Sequence, residues 1–326
     1  MGKCTIQILS GGRVQEPAIY EGVTWETSRK GEPGKLNFTC IKDEGLSFSE
    51  GAQVILRYDG KDVFHGFVFT KGRNKEQHIE VTAYDQLRYL KGKQTYGGKG
   101  FEAIRADQIV KRIAEDYQLN LGHIANTGFA IRNFSSENQT LFDTILDALD
   151  ETVMNTGKLY FLYDDFGKLT LKNITEAQTD YLIDRETAED FDYTSSIDNE
   201  TYNRILLVNK SKSDGRNEAA KVTDYTKIGQ WGVLQYYEEG QYENTAFAKQ
   251  KAEALLKIHN KVYRTLSIDG CLGDVRVRGG SGVYVDLHLG DMIAKQRMLV
   301  EKATHTFDKD HHYMKLELSG CEEFYG

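Results

Sequence analysis

The feature that most restricts this chain's fold is a run of apolar side chains spaced two apart and broken by glycine turns. In "KLNFTCI" Leu36, Phe38 and Cys40 alternate with polar neighbours, and in "QVILRYDGKDVFHGFVF" Val54, Leu56 and Tyr58 do the same. Successive strand side chains point to opposite faces, so this spacing predicts strands with one face in a core. Asp59-Gly60 supplies the positive φ angles of a tight turn, which pairs Val54–Tyr58 with Asp62–Phe69. A second turn at "KGRNKE" precedes Ile79, Val81 and Ala83 on one face of a further strand. With only 2 prolines against 31 glycines, 19 tyrosines and 15 phenylalanines, the chain reads as β-rich.

The period changes after Tyr84. Asp85 stands where a carboxylate accepts from the free backbone N–H groups of a new helical turn, "DQLRYL", so its replacement by alanine is expected to cost about 1 kcal/mol. In "ADQIVKRIAEDYQLN" the residues Ile109, Val110, Ile113, Ala114 and Tyr117 recur at helical steps and predict one buried stripe. A second helix carries Leu141, Phe142, Ile145, Leu149 and Val153, with Ser136 and Gln139 at capping-box spacing and Gly157 as its stop. "KLYFLYDDFGKLTLK" reads as a hairpin with Leu159, Phe161 and Tyr163 on one strand and Leu169 and Leu171 on the other.

From about Phe191 the β pattern returns. It is interrupted by a helix in "NTAFAKQKAEALLKIHN", capped by Asn244, with Ala248, Ala252, Leu255, Leu256 and His259 on one face. Leu266 and Ile268 point inward from the next strand. "GDVRVRGGSGVYVDL" alternates valines about a glycine turn, and two closing strands flank "FDKDHH", the last with Met314, Leu316 and Leu318 on one face. The two β portions each end in a long hairpin, Val63 to Tyr84 and Met298 to Leu318, which suggests a duplicated barrel-like domain.

Composition removes several function classes. The net charge of -8, without a long basic run, argues against sequence-specific nucleic-acid binding. Cys4, Cys40, Cys271 and Cys321 are scattered singly, so neither a zinc site nor a redox motif is indicated and reduced thiols are expected. No signal peptide opens "MGKCTIQILSGG" and no run of ~18 apolar residues occurs, so a soluble protein without membrane partners is expected. Ile6 stands where a myristoylation signal wants Ser or Thr.

Candidate chemistry reads as structure at each position. "GGSG" at Gly279–Gly282 precedes a strand pattern rather than a helix, which favours a hairpin turn over a phosphate cradle; the glycines near Gly11 and Gly97 fail the same test. His305, His311 and His312, with Asp308 and Asp310, are metal ligands in type, but polar residues at a turn between strands are expected to be solvated. Adjacent acids such as Asp164-Asp165, Glu238-Glu239 and Glu322-Glu323 face opposite sides of a strand and cannot flank one sugar bond. Asp164-Asp165 suit a turn before Phe166-Gly167. Trp231, Tyr236, Tyr237 and Tyr242 could make a stacking platform for sugars or bases, but packing or a subunit contact is preferred. No G-x-S-x-G elbow or other nucleophile context appears.

Several stretches together resemble one family, the XkdQ/YqbQ-type tail hub proteins of phages and phage-derived contractile particles, with a more distant likeness to the T4-type baseplate hub and late control protein D. The matching pieces are "VFHGFVF", "HIEVTAYDQLRYLKGK", "WGVLQYYEE" leading to "KAEALLKIHN", "GDVRVRGGSGVYV" and "VEKATHTFDKDHHYMKLEL". Each is a hairpin with turn residues; their joint order along almost the whole chain makes the match specific. Asp85 corresponds to the family's aspartate in the "AYD" piece, and no catalytic motif carries over.

The resemblance implies a β-rich α+β fold: two tail-tube-like β-barrel domains with an inserted helical and hairpin middle domain. The expected boundaries are residues 1–94 for the N-terminal barrel, 95–190 for a middle domain of two helices and a hairpin, and 191–326 for a C-terminal barrel containing one helix. The implied function is structural, with no enzyme, cofactor or metal: a homotrimeric, pseudo-sixfold hub joining the hexameric tail tube to the trimeric spike. Implied partners are the tube or tube initiator above, the spike below, and a wedge or LysM-containing baseplate protein around it. Assembly in the bacterial host cytoplasm into a virion or bacteriocin-like particle is implied, and in a phage DNA passes through the channel. A β-rich tail-tip cell-wall hydrolase and a carbohydrate-binding module are the competing expectations.

Overall fold

A computed structural model describes residues 2–20, 22–76, 78–198, 200–209, 219–240, 242, 244–288, 293–308 and 311–320. The chain divides into two compact units. The first comprises residues 1–152, 158–193 and 266–326; the second comprises residues 153–157 and 194–265.

The first unit opens with β1 (Cys4–Ser10), β2 (Arg13–Gln15), β3 (Val23–Ser28), β4 (Lys35–Ile41), β5 (Gln53–Tyr58), β6 (Lys61–Arg73) and β7 (His78–Tyr84). The β5–β6 hairpin turns at Asp59 (φ 51) and Gly60 (φ 73), as the sequence requires. A 3-10 turn (Gln86–Lys91) then leads to β8 (Lys93–Arg105), α1 (Ala106–Asp116), β9 (Leu121–Ile124), β10 (Ala130–Thr140) and α2 (Leu141–Thr156). Next come β11 (Tyr160–Asp164), β12 (Leu169–Asn173), β13 (Gln178–Ile183) and β14 (Asp190–Ser196).

The second unit is a small α/β layer. Its central strand β15 (Arg204–Asn209) lies between β16 (Ala219–Thr223), antiparallel, and, after α3 (Tyr225–Trp231), β17 (Gln235–Gly240), parallel. Helix α4 (Thr245–His259) starts at Asn244, whose side chain accepts from the Phe247 amide, and buries Ala248, Ala252 and Leu255 against Ile205 and Leu207. Helix α3, capped by Asp224, was not foreseen from the sequence. None of its residues is buried, so no apolar stripe announced it.

The chain then adds β18 (Tyr263–Leu272), β19 (Gly282–His288), β20 (Ile293–Phe307) and β21 (His312–Gly320). The N- and C-terminal strands share one sheet, ordered β14-β18-β21-β20-β3-β4-β7-β6-β5-β1-β2, with β19 beside β20 and β13 beside β19. The seam is the antiparallel β3–β20 ladder, from Val23 opposite Phe307 to Ser28 opposite Lys302. One apolar core, containing Ile8, Trp25, Leu36, Phe38, Val54, Leu56 and Val81, lies on one side of that seam. Another, containing Ile183, Ile268, Val285, Met298, Met314 and Leu316, lies on the other. A third core gathers Ile109, Ile113, Leu141, Phe142, Ile145 and Leu162 from α1, α2 and β11.

Three local expectations fail. Ser136 and Gln139 lie within β10 rather than before a helix: Ser136 hydrogen-bonds Thr144 (2.6 Å) and Gln139 donates to Asp147 (2.7 Å). The cap of α2 is Thr140, whose hydroxyl accepts from the Asp143 amide (3.0 Å). Tyr117 follows α1 instead of joining its stripe and is exposed. The valine-rich segment before Gly279 is a loop, not a strand, and β19 pairs with β20 and β13.

Candidate functional site: a buried charge cluster and a basic cleft

Asp85 does more than cap a turn. Its side chain is 3 % exposed; one carboxylate oxygen accepts from the Leu87 amide (3.0 Å) and the other from the Gly34 amide (2.8 Å), which ties the 3-10 turn to the loop before β4. A Cβ on Gly34 would stand 2.4 Å from that second oxygen, so only glycine fits there. Burial, reinforced by the charge of Asp164, holds the Asp85 pKa well above the ordinary carboxylate range, against the pull of the two amides and Arg278.

Asp164 plays the turn role foreseen for it, accepting from the Gly167 amide (2.6 Å). It is also buried, and its Oδ2 has no hydrogen-bond partner among the described residues. Burial again raises its pKa, with the Gly167 amide and the nearby Gln86, Arg278 and His65 opposing. The counter-charge is Arg278, whose Nη2 donates to the Asp164 carbonyl (2.9 Å). Its guanidinium lies 4.2 Å from the Tyr163 ring centroid and 5.8 Å from that of Trp25. Arg278 lies in the valine-rich segment that the sequence reading took for a strand, and it was not singled out there.

The "GGSG" segment makes this placement possible. Gly279 donates its amide to Thr27 Oγ1 (2.9 Å), and a Cβ there would lie 2.4 Å from the Ser28 carbonyl carbon. Gly280 has φ +94 and would meet the Phe161 ring at 2.2 Å. The glycines are therefore neither a phosphate cradle nor a hairpin turn; they let the loop press against β3 and β11. Arg278 also lines a cleft of ≈ 410 Å³ whose walls include Phe161, Tyr163, Lys172, Thr179 and Arg276. Phe161 and Tyr163 stack at 5.1 Å.

The histidines are not solvated. His305 and His312 are buried and bonded to each other, Nδ1 to Nε2, at 2.9 Å, and His305 Nε2 lies 2.8 Å from the Val277 carbonyl. Since that carbonyl only accepts, His305 donates from Nε2 and receives from His312. His312 stacks on Phe307 (4.2 Å), and His305 lies 4.7 Å from Trp25. Burial, and for His305 also the neighbouring His312, lowers their pKa values to about 3 and about 4. His311 is exposed against Tyr313. Among the described residues no three His, Cys, Asp or Glu side chains gather as metal ligands.

The tyrosines weighed as a stacking platform are engaged internally. Glu238 accepts from Tyr236 (2.8 Å), Tyr242 (2.8 Å) and Lys251 (2.7 Å), which places an acid and a base at the centre of the aromatic group. Tyr237 is exposed and bonds Glu239 (2.5 Å), while Trp231 carries Lys227 over its ring (4.5 Å). Asp310, Cys321 and Glu322-Glu323 lie outside the described residues, as does the Lys210–Glu218 segment. Among the described residues no helix is long and apolar enough to cross a membrane.

A model of the family described as YQBQ-like matches residues 23–319. The phage-like element PBSX protein XkdQ of Bacillus subtilis is 31% identical over 309 residues, covering 92% of each protein. YqbQ of the same organism is 30% identical over the same coverage. Among solved structures, the 43 kDa tail protein of prophage MuSo2 from Shewanella oneidensis superposes with a TM-score of 0.71 at 12% identity, over 96% of this chain and 98% of that one. The E. coli c3393 protein, a type VI secretion component described as similar to the T4 tail proteins gp27 and gp5, gives 0.52 at 11% identity, over 98% and 78%. These last two are likenesses of fold.

Proposed function

We propose, from the premise that this chain belongs to the YQBQ-like family, that it is a structural hub of a contractile phage tail or tail-like particle. In this reading the chain performs no catalysis. Three copies close into a ring, each giving two barrel-like lobes, so that six lobes face a sixfold tube and three copies face a threefold spike. The observation that carries this is the β3–β20 seam, which joins strands of the first and last parts of the chain in one sheet while leaving a separate apolar core on each side. The N-terminal lobe corresponds to residues 1–94 and the C-terminal lobe to 191–326, with 95–190 inserted between them.

The partners in this reading are further copies of the chain, the tube or its initiator, the spike, and a wedge or LysM-containing baseplate protein. Its place is the particle baseplate, reached by assembly in the host cytoplasm. Obligate interfaces of such rings bury thousands of Å², so a trimer held by them is stable at low concentration. Light scattering of the chain, alone and mixed with tube and spike components, tests this: the expected mass is three copies. A chain that stays monomeric in every mixture overturns it. Labelled particles in electron micrographs locate the subunit, on the axis between tube and spike if the reading holds.

A further inference from the structure

The cleft at Arg278 and the edge strand β14 have complementary unmet needs. Lys172 stands half-buried on the cleft wall with its ammonium 5.7 Å from the Tyr163 ring centroid and no carboxylate partner among the described residues. Arg276 is already matched by Asp180 (2.8 Å) and Asp274 (2.6 Å), whereas the Arg278 guanidinium bonds the Asp164 backbone carbonyl and lies over Tyr163, so Lys172 and Arg278 are cleft cations without a carboxylate bond among the described residues. A free cation beside stacked rings, in a chain of net charge -8, calls for a carboxylate.

Strand β14 begins Asp190-Phe191-Asp192 and ends the sheet order, hydrogen-bonded among the described residues to β18 alone. Its burial is unusual for a strand: Asp190, Phe191 and Asp192 are all exposed, so both faces of its first half are bare, with Phe191 at 42 %. Open ladder edges carrying an apolar ring are normally covered, because unpaired backbone groups and the ring both invite association. Asp192 has no ion-pair partner among the described residues.

We infer that the Asp190–Tyr193 segment of one copy seats in the Lys172 cleft of a second copy. This rests on the ring reading above and names the contact that closes the ring. In an extended segment Asp190 and Asp192 point to one side and Phe191 to the other, so the two carboxylates can reach Lys172 together. Cleft and strand are different surfaces of the same chain, so the contact is head-to-tail, and a head-to-tail contact generates a closed ring when its rotation closes.

Charge reversal tests it, with mass read by sedimentation or light scattering and folding by circular dichroism. Tube and spike components are added if the unaltered chain needs them to assemble. Lys172→Glu alone and Asp190→Lys with Asp192→Lys are each expected to weaken assembly at least tenfold; the three changes together restore it. Lys172→Gln, which removes charge without repulsion, weakens it less. Single-surface variants that remain trimers like the unaltered chain overturn the inference and leave the hub reading standing. So does failure of the combined variant to recover assembly while folded. An unaltered chain that is monomeric in every mixture overturns both.

Discussion

Asp85 and Asp107 are both buried carboxylates at the start of a helical turn, yet they are held in opposite ways. Asp107, at the first turn of α1, meets the Arg105 guanidinium twice (2.9 and 3.2 Å) and also accepts from the amide and hydroxyl of Thr127 (3.2 and 3.0 Å). Burial pushes its pKa up, but these bonds together overcome it, and the net shift is downward. Asp85 has only two amides, a second carboxyl nearby and a guanidinium engaged by aromatic rings, so burial wins and its pKa rises. Desolvation acts alike on both; the partner set decides the sign.

Changes at the two centres separate these cases. The largest effect is expected from Arg278→Ala. It strips the counter-charge from Asp85 and Asp164 and the cation from Tyr163, and loss of one member of a buried charge set typically costs about 3–5 kcal/mol. Chemical denaturation measures it, and a loss below about 1 kcal/mol would mean that both aspartates are already neutral. Asp85→Ala is next, at about 2–3 kcal/mol, because it orphans the Gly34 and Leu87 amides at about 1–3 kcal/mol each while relieving a buried acid. That exceeds the simple capping cost expected from the sequence. Asp85→Asn keeps an acceptor and is expected to lose less.

Acid titration sharpens the contrast by sign. Asp107, depressed in the fold, contributes stability above the ordinary carboxylate range that is lost as pH falls through its folded pKa. Asp85, raised in the fold, does the reverse: the folded chain gains stability as pH falls through its raised pKa. The histidine pair adds a third slope. The unfolded chain takes up protons below about pH 6.5 that the fold refuses until about pH 4 and 3, so stability falls over that window by up to ~1.4 kcal/mol per pH unit for each histidine. Melting curves of the His305→Gln, His312→Gln double variant are expected to show that slope flattened; an unchanged slope would show that the pair does not set it. The smallest effect is at the α2 cap, where Thr140→Ala is expected to cost about 1 kcal/mol. Gln139→Ala, on the strand, stays within about 0.5 kcal/mol.

Where periodicity is carried by side chains that bury, it was legible. Leu36, Phe38 and Cys40 on β4, Ile79, Val81 and Ala83 on β7, and Met314, Leu316 and Leu318 on β21 all face a core. So was turn chemistry fixed by local φ, at Asp59-Gly60 and Gly157. Capping failed at Ser136 because a spacing of three residues does not distinguish a helix start from a strand whose polar side chains reach across to the next helix. The polar centre was half legible: Asp85 was found as a cap and Asp164 as a turn residue, while their shared partner Arg278 was not. His305 and His312 were read as solvated ligand types at a turn rather than as a buried pair, since polarity at a turn ordinarily means solvent.

The order of residues alone was enough for the core-facing strands β4 to β7, β11, β12 and β21, for helices α1, α2 and α4, for the Asp59-Gly60 turn and for the kinship with tail proteins, because these depend on spacings of a few residues and on their order; β8, β9 and β10 carried no such pattern. The fold alone settled that β3 and β20 share a ladder, that Gly279 and Gly280 let a loop press against β3 and Phe161, and that two buried aspartates lie near a half-buried arginine, all far apart in the chain. Those outcomes depend on which surfaces meet once cores form, and close approach between remote segments leaves no period in the chain to read.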